Sequence, residues 1–164
     1  MGHALLPLVQ PVSPVNAMTA QPANDFALIF EYGACMTDRL DTFRGDFTQN
    51  MLGELDVMTP LTLTLSDKVS IYQKMVAIDF FSYPSHYEIP MPLSGTVSEV
   101  VPANHYLFIV RNQGQTKAVE WLDNIVEPKR AEADRLCELA KLLMEMIREK
   151  PEVKHLPPSK SVCV

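Results

Sequence analysis

Leu136, Leu139, Ala140, Leu143, Met146 and Ile147 recur at helical spacing until Lys150-Pro151 breaks the run. One apolar stripe, several turns long, therefore has to be covered by another part of the chain. The spacing predicts a helix over 128–149, with Pro128 in its first turn and the pairs Glu138/Lys141 and Glu145/Arg148 on its wet face. What covers the stripe is read from runs of a different period. Phe26, Leu28, Phe30 and Tyr32 alternate with Ala27, Ile29 and Glu31 up to Gly33, and Leu40 to Met51 alternates again. Both read as strands, paired antiparallel.

His105 to Arg111 and Thr116 to Leu122 flank the turn Asn112-Gln113-Gly114-Gln115, which predicts a hairpin. Between the two pairs, Leu61 to Leu65 leads to Ser66 as N-cap of a helix over 67–79, with Asp67 at its positive end. Val69, Tyr72, Met75 and Val76 line one face of that helix and Asp79 ends it. The Phe80-to-Pro84 segment terminates it, because the residue before a proline is pushed out of the helical region. Pro84, Pro90, Pro92 and Pro102 then predict an irregular stretch rather than a strand.

The expectation is an α+β fold: one domain over 25–150 in the order ββαββα, an antiparallel sheet packed against two helices. A length of 164 residues with 47% apolar and 21% charged side chains suits one such domain. Residues 1–24, with Pro7, Pro11, Pro14 and Pro22 and no sustained period, read as an extended tail, and 151–164 as a loosely held one. The other face of the sheet is expected to be solvated, covered by that first tail, or used against a partner.

The formal charge of −6 argues against nucleic acid as a partner. The charge is also uneven: six basic and fourteen acidic side chains precede residue 128, and eight and six follow it. No apolar run approaches the roughly 18 residues of a membrane span. No Lys or Arg precedes Arg39, so the basic region of a secretory signal is not seen. Cys35, Cys137 and Cys163 have no CxxC spacing, which leaves buried or incidental thiols, or one Cys35–Cys163 bridge.

No phosphate loop, nucleophile elbow or dinucleotide fingerprint occurs, so no cofactor is expected. His3, His86, His105 and His155 are scattered, and no metal site is expected. Two of them can share a metal only if the loop around His86 folds beside the strand at His105. Arg44-Gly45-Asp46 spells the integrin-recognition tripeptide but falls inside an alternating strand pattern, where it is not presented. The densest polar and aromatic group is Asp79, Tyr83, His86, Tyr87 and Glu88. It supports two readings. Tyr83, Pro84, His86, Tyr87, Pro90 and Pro92 form a rigid aromatic recognition loop, or His86 works with Asp79 or Glu88 in acid–base chemistry.

The segments Leu63-Thr64-Leu65-Ser66, Ile71 to Val76 and Ile78-Asp79-Phe80-Phe81-Ser82-Tyr83-Pro84 resemble a group of small uncharacterised bacterial domains. These are frequent in Gram-positive species and often stand behind secretory or lipoprotein signals. Leu40 to Gly45, Thr116-Lys117 with Val119-Glu120-Trp121, and Lys150-Pro151-Glu152 with Leu156-Pro157 extend the resemblance over 26–158. It implies an extracytoplasmic or cell-envelope location, with a cytoplasmic one as the alternative, and implies no activity. The chain departs from the group in having no lipobox cysteine ahead of residue 26. The expected function is thus a non-catalytic binding or inhibitory module that recognises a protein through the aromatic loop and an exposed sheet face. A small acid–base enzyme of hydrolase type is the alternative, and a structural homodimer formed through an edge strand a second one.

Overall fold

The computed structural model describes residues 20–91, 95–126 and 130–159. Seven strands are present: β1 (Ala27–Gly33), β2 (Asp38–Asp41), β3 (Asp46–Gln49), β4 (Val57–Pro60), β5 (His86–Tyr87), β6 (Glu99–Asn112) and β7 (Gln115–Ile125). They form one sheet in the order β4-β3-β2-β1-β6-β7-β5, antiparallel except where β5 runs parallel to β7. The helices are α1 (Leu65–Ala77), α2 (Ala131–Arg148) and the short α3 (Pro151–Lys154). The α+β class and the packing of two long helices on a mostly antiparallel sheet are as the periodicities predict.

The order is not ββαββα, because four strands precede α1 and a short one follows it. The run 40–51, read as one strand, is two strands and a turn. Asp41 turns its carboxylate onto the amides of Phe43 and Arg44, at 3.0 and 3.2 Å, and Gly45 takes φ +77° to close the turn. This explains how Asp41 is only 3% exposed yet fully hydrogen-bonded. Arg44-Gly45-Asp46 therefore runs from the turn into the first residue of β3. Arg44 Nε lies 3.3 Å from Asp46 Oδ2, and the Arg44 side chain is 66% exposed.

The cap of α1 is Thr64 rather than Ser66. Its hydroxyl accepts from the Asp67 amide at 3.0 Å while Asp67 accepts from the Thr64 amide at 2.9 Å. The turn between β6 and β7 has positive φ at both Gln113 and Gly114, the geometry that matches strand twist. Asp25 holds both of their amides, at 2.8 and 2.7 Å. The Gly114 amide chiefly keeps the Asp25 carboxyl below its ordinary value.

The stretch 84–102 is less irregular than its prolines suggest. His86 and Tyr87 pair with Glu120 and Trp121, and Pro102 lies within β6. It is tolerated there because β1 pairs with β6 only from His105 onward, and the register against β7 shifts between Glu99 and Asn104.

The core fills one side of the sheet. Phe30 stacks on Phe108 at 4.5 Å and Trp121 stacks on Tyr106 at 4.8 Å, and Phe80 meets Phe108 edge-on. Ile71 and Met75 of α1 and Leu136, Leu139, Leu143 and Ile147 of α2 close over them. α2 begins at Ala131, and Pro128 lies outside the described residues. The segment after Pro151, expected to be loosely held, forms α3 and continues across the sheet edge. There Gln49 Nε2 donates to the Pro157 carbonyl at 2.7 Å and the Ser159 hydroxyl to the Asn50 carbonyl at 3.1 Å.

Candidate functional site

The segment that follows α1 is fixed residue by residue. Ile78 closes the helix and Asp79 takes a left-handed backbone, φ 57° and ψ 42°, a conformation asparagine and aspartate reach more readily than other side chains. A 3₁₀ turn over Phe80–Ser82 follows, and the Ser82 hydroxyl lies 2.7 Å from Asp79 Oδ2. Tyr83 is only 7% exposed and donates its hydroxyl to the Glu132 carbonyl at 2.9 Å, which fastens the loop to α2. Lys117 Nζ donates to the Tyr83 carbonyl, and the Glu120 amide to the Ser85 carbonyl at 2.8 Å.

Tyr83 and Tyr87 meet edge-to-face, ring centres 5.4 Å apart. With Asp79, Ser82, Glu132 and Arg135 they line a cavity of about 310 Å³ between the loop and α2. The aromatic residues are thus folded inward around a hollow and do not form a flat patch. Pro84 and Pro90 are exposed, and Pro92 lies outside the described residues.

His86 points the other way. Parallel pairing with β7 places it opposite Glu120, and its side chain is 83% exposed. Its Nδ1 lies 3.2 Å from Glu120 Oε2, while His105 Nε2 lies 2.7 Å from Glu120 Oε1. The expected partners Asp79 and Glu88 do not meet it: Asp79 is bonded to Ser82 on the helix side, and Glu88 stands exposed beyond β5. The two imidazoles approach one carboxylate on its two oxygens. Among the described residues no three His, Cys, Asp or Glu side chains converge on a point where a metal ion could sit.

Register places Met58, Thr48, Arg39, Glu31, Leu107, Glu120 and His86 in one row across all seven strands, on the face away from the helices. In the next row Asp41, Ile29, Ile109 and Ala118 are neighbours. Ile29, Leu107, Ile109 and Ala118 make an apolar strip that is half-buried, whereas their helix-side neighbours Leu28, Phe30, Phe108, Val110 and Val119 are fully buried. Charged groups frame the strip, Glu31 bound to Arg39 on one side and the His–Glu–His set on the other.

Sequence reasoning finds the loop and names His105 beside His86, but misses Glu120, Glu132 and Arg135. His105 and Glu120 fall on the non-core phase of two alternating strands, and that phase is the signal that joins them. Cys137 is a free thiol whose Sγ lies 3.5 Å from Asp123 Oδ2. Burial first, and the Asp123 charge second, push it up to about 12, so it is no nucleophile at neutral pH. Cys35 is disulfide-bonded rather than a free thiol, and Cys163, the partner in the bridge given above as an alternative, lies outside the described residues. No described helix is long and apolar enough to cross a membrane. No protein-family model matches the chain, and no curated protein is similar to it.

Proposed function

We propose that the chain is a non-catalytic protein-recognition or inhibitory module of the bacterial cell envelope. It engages its partner through the helix-free face of the sheet and the adjoining loop that carries Tyr83, Pro84, His86, Tyr87, Pro90 and Pro92. The observation that supports this best is the strip Ile29–Leu107–Ile109–Ala118. Among the described residues no helix covers it, and it is framed by charges that are already paired. An apolar centre with a polar rim is the anatomy of a protein interface. A disulfide at Cys35 supports an oxidising compartment.

The acid–base alternative has one observation in its favour, the Glu120 carboxylate that orients both His86 and His105. Against it, the His86 side chain is 83% exposed and open to solvent. The test is affinity capture from an extract of the cells that make the protein, with wild type and Leu107→Asp of matched melting temperature. Capture of a defined protein by wild type alone is the expected result. Identical captures by both overturn the proposal.

A further inference from the structure

Of the three cysteines in the chain, Cys137 on α2 is a free thiol and Cys35 is disulfide-bonded. With Cys137 free, Cys163 is the one cysteine left to complete the bridge. Cys35 is exposed on the tight loop over 34–37, which Gly33 starts at φ +152° with the Met36 carbonyl oxygen 1.7 Å from where a Cβ would stand. Past α3, Val153 and Leu156 pack on the core, and the chain then crosses the end of β3. There Gln49 Nε2 donates to the Pro157 carbonyl at 2.7 Å and the Ser159 hydroxyl to the Asn50 carbonyl at 3.1 Å, both in contact with water. Neutral hydrogen bonds open to water add little net stability, so by themselves they leave this strap free to fray. Between loop and strap lies a cavity of about 330 Å³, with Tyr32, Asp38 and Asn50 on the sheet side, Cys35 on the loop and Ser159 on the strap.

We infer that a Cys35–Cys163 bridge is a redox-sensitive latch: it staples the strap over this cavity, and its reduction lets the strap lift away. Oxidised, the strap is fixed at both ends, at Leu156 by packing and at Cys163 by sulfur, and the weak hydrogen bonds between them persist. A dithiol reductant reverses this. One of its thiolates attacks a bridge sulfur to form a mixed disulfide, its second thiol displaces the remaining cysteine, and it leaves as a disulfide. Its two electrons and two protons are then on Cys35 and Cys163, both thiols. Exposure of Cys35 gives the reductant access. Cys137 stays out of the exchange, because burial keeps its thiol protonated.

The test begins with the intact chain equilibrated in an oxidising glutathione buffer, alkylated in denaturant and digested. Mass spectrometry is expected to find one linked peptide pair carrying Cys35 and Cys163 and an alkylated Cys137, with the chain monomeric on a non-reducing gel. Cys35 alkylated, capped by glutathione, joined to Cys137 or joined across two chains overturns the bridge. The latch is then read by trypsin cleavage after Lys160, followed by mass after quenching and reduction. Cleavage is expected to be about tenfold faster after dithiothreitol, equally fast in Cys163→Ser with or without it, and unchanged at Lys141 of α2. Equal cleavage of the oxidised and reduced chains overturns the latch. So does reduction that also exposes Lys141 to cleavage, because the bridge would then hold the whole fold and not the strap alone.

Discussion

His105 Nε2 donates to Glu120 Oε1 at 2.7 Å across the β6–β7 pair, and the other oxygen of the same carboxylate faces His86 Nδ1 on β5. One side chain thereby joins three strands and ties the two-residue edge strand to the body of the sheet. Glu120→Gln keeps one acceptor and loses the charge. At a cost of about 1.4 kcal/mol it should speed amide exchange over 83–91 by about tenfold, with the α2 amides unchanged. Hydrogen exchange by mass spectrometry checks this, and equal rates in both proteins contradict it.

Asp67 caps α1 and also accepts from Lys150, which joins the start of α1 to the end of α2. Burial opposes its ionisation, but the Lys150 ammonium and the Thr64 amide and hydroxyl outweigh it and hold the carboxyl below its ordinary value. A depressed carboxyl stabilises the fold above the ordinary carboxylate range, and that stability is lost as the pH falls through the folded-state value. Asp67→Asn should cost roughly 1–2 kcal/mol at pH 7. The difference from wild type should shrink toward zero by about pH 2 in urea titrations. A constant difference across that range contradicts the assignment.

Gly33 ends β1 at φ +152°, and a Cβ there would sit 1.7 Å from the Met36 carbonyl oxygen. Neither the backbone of the turn nor the dihedral can accommodate it. Gly33→Ala should destabilise by more than about 3 kcal/mol, beyond the range of ordinary surface changes. Chemical denaturation, or failure to obtain soluble protein, reads the effect.

Cys137 should resist modification by a thiol reagent at pH 8 in the folded protein and react on unfolding, because burial and the neighbouring Asp123 keep its thiol protonated. Mass mapping of the labelled peptide over 136–141 measures this. Rapid labelling of the native chain contradicts it.

Periodicity alone reveals the strands and helices whose two faces differ. β1, the β6–β7 hairpin and α2 each alternate a fully buried face with a more exposed one, and their positions follow from that contrast. The β2–β3 turn is hidden because Thr42, Arg44 and Asp46 continue an alternation against Asp41, Phe43 and Phe47, while the decisive event is the Asp41 carboxylate accepting from the Phe43 and Arg44 amides. β4 and β5 are hidden by their length, four and two residues, too short to show a period. The candidate loop is legible from its composition. Its partners are not, because Glu120 reaches both His86 and His105, and Glu132 and Arg135 line a cavity with Tyr83, only through pairings distant in the chain.

The most direct measurement of the central claim is site-specific photo-cross-linking in the cells that make the protein, with a photoreactive residue at Leu107, at Pro84 or, as control, at Lys141 on the outer face of α2. The account predicts one defined protein adduct of the same mass from positions 107 and 84 and none from 141. An adduct at twice the chain mass would assign the face to a second copy. No adduct at 107, or the same adducts from all three positions, would contradict the claim that the helix-free face and the adjoining loop recognise a partner protein.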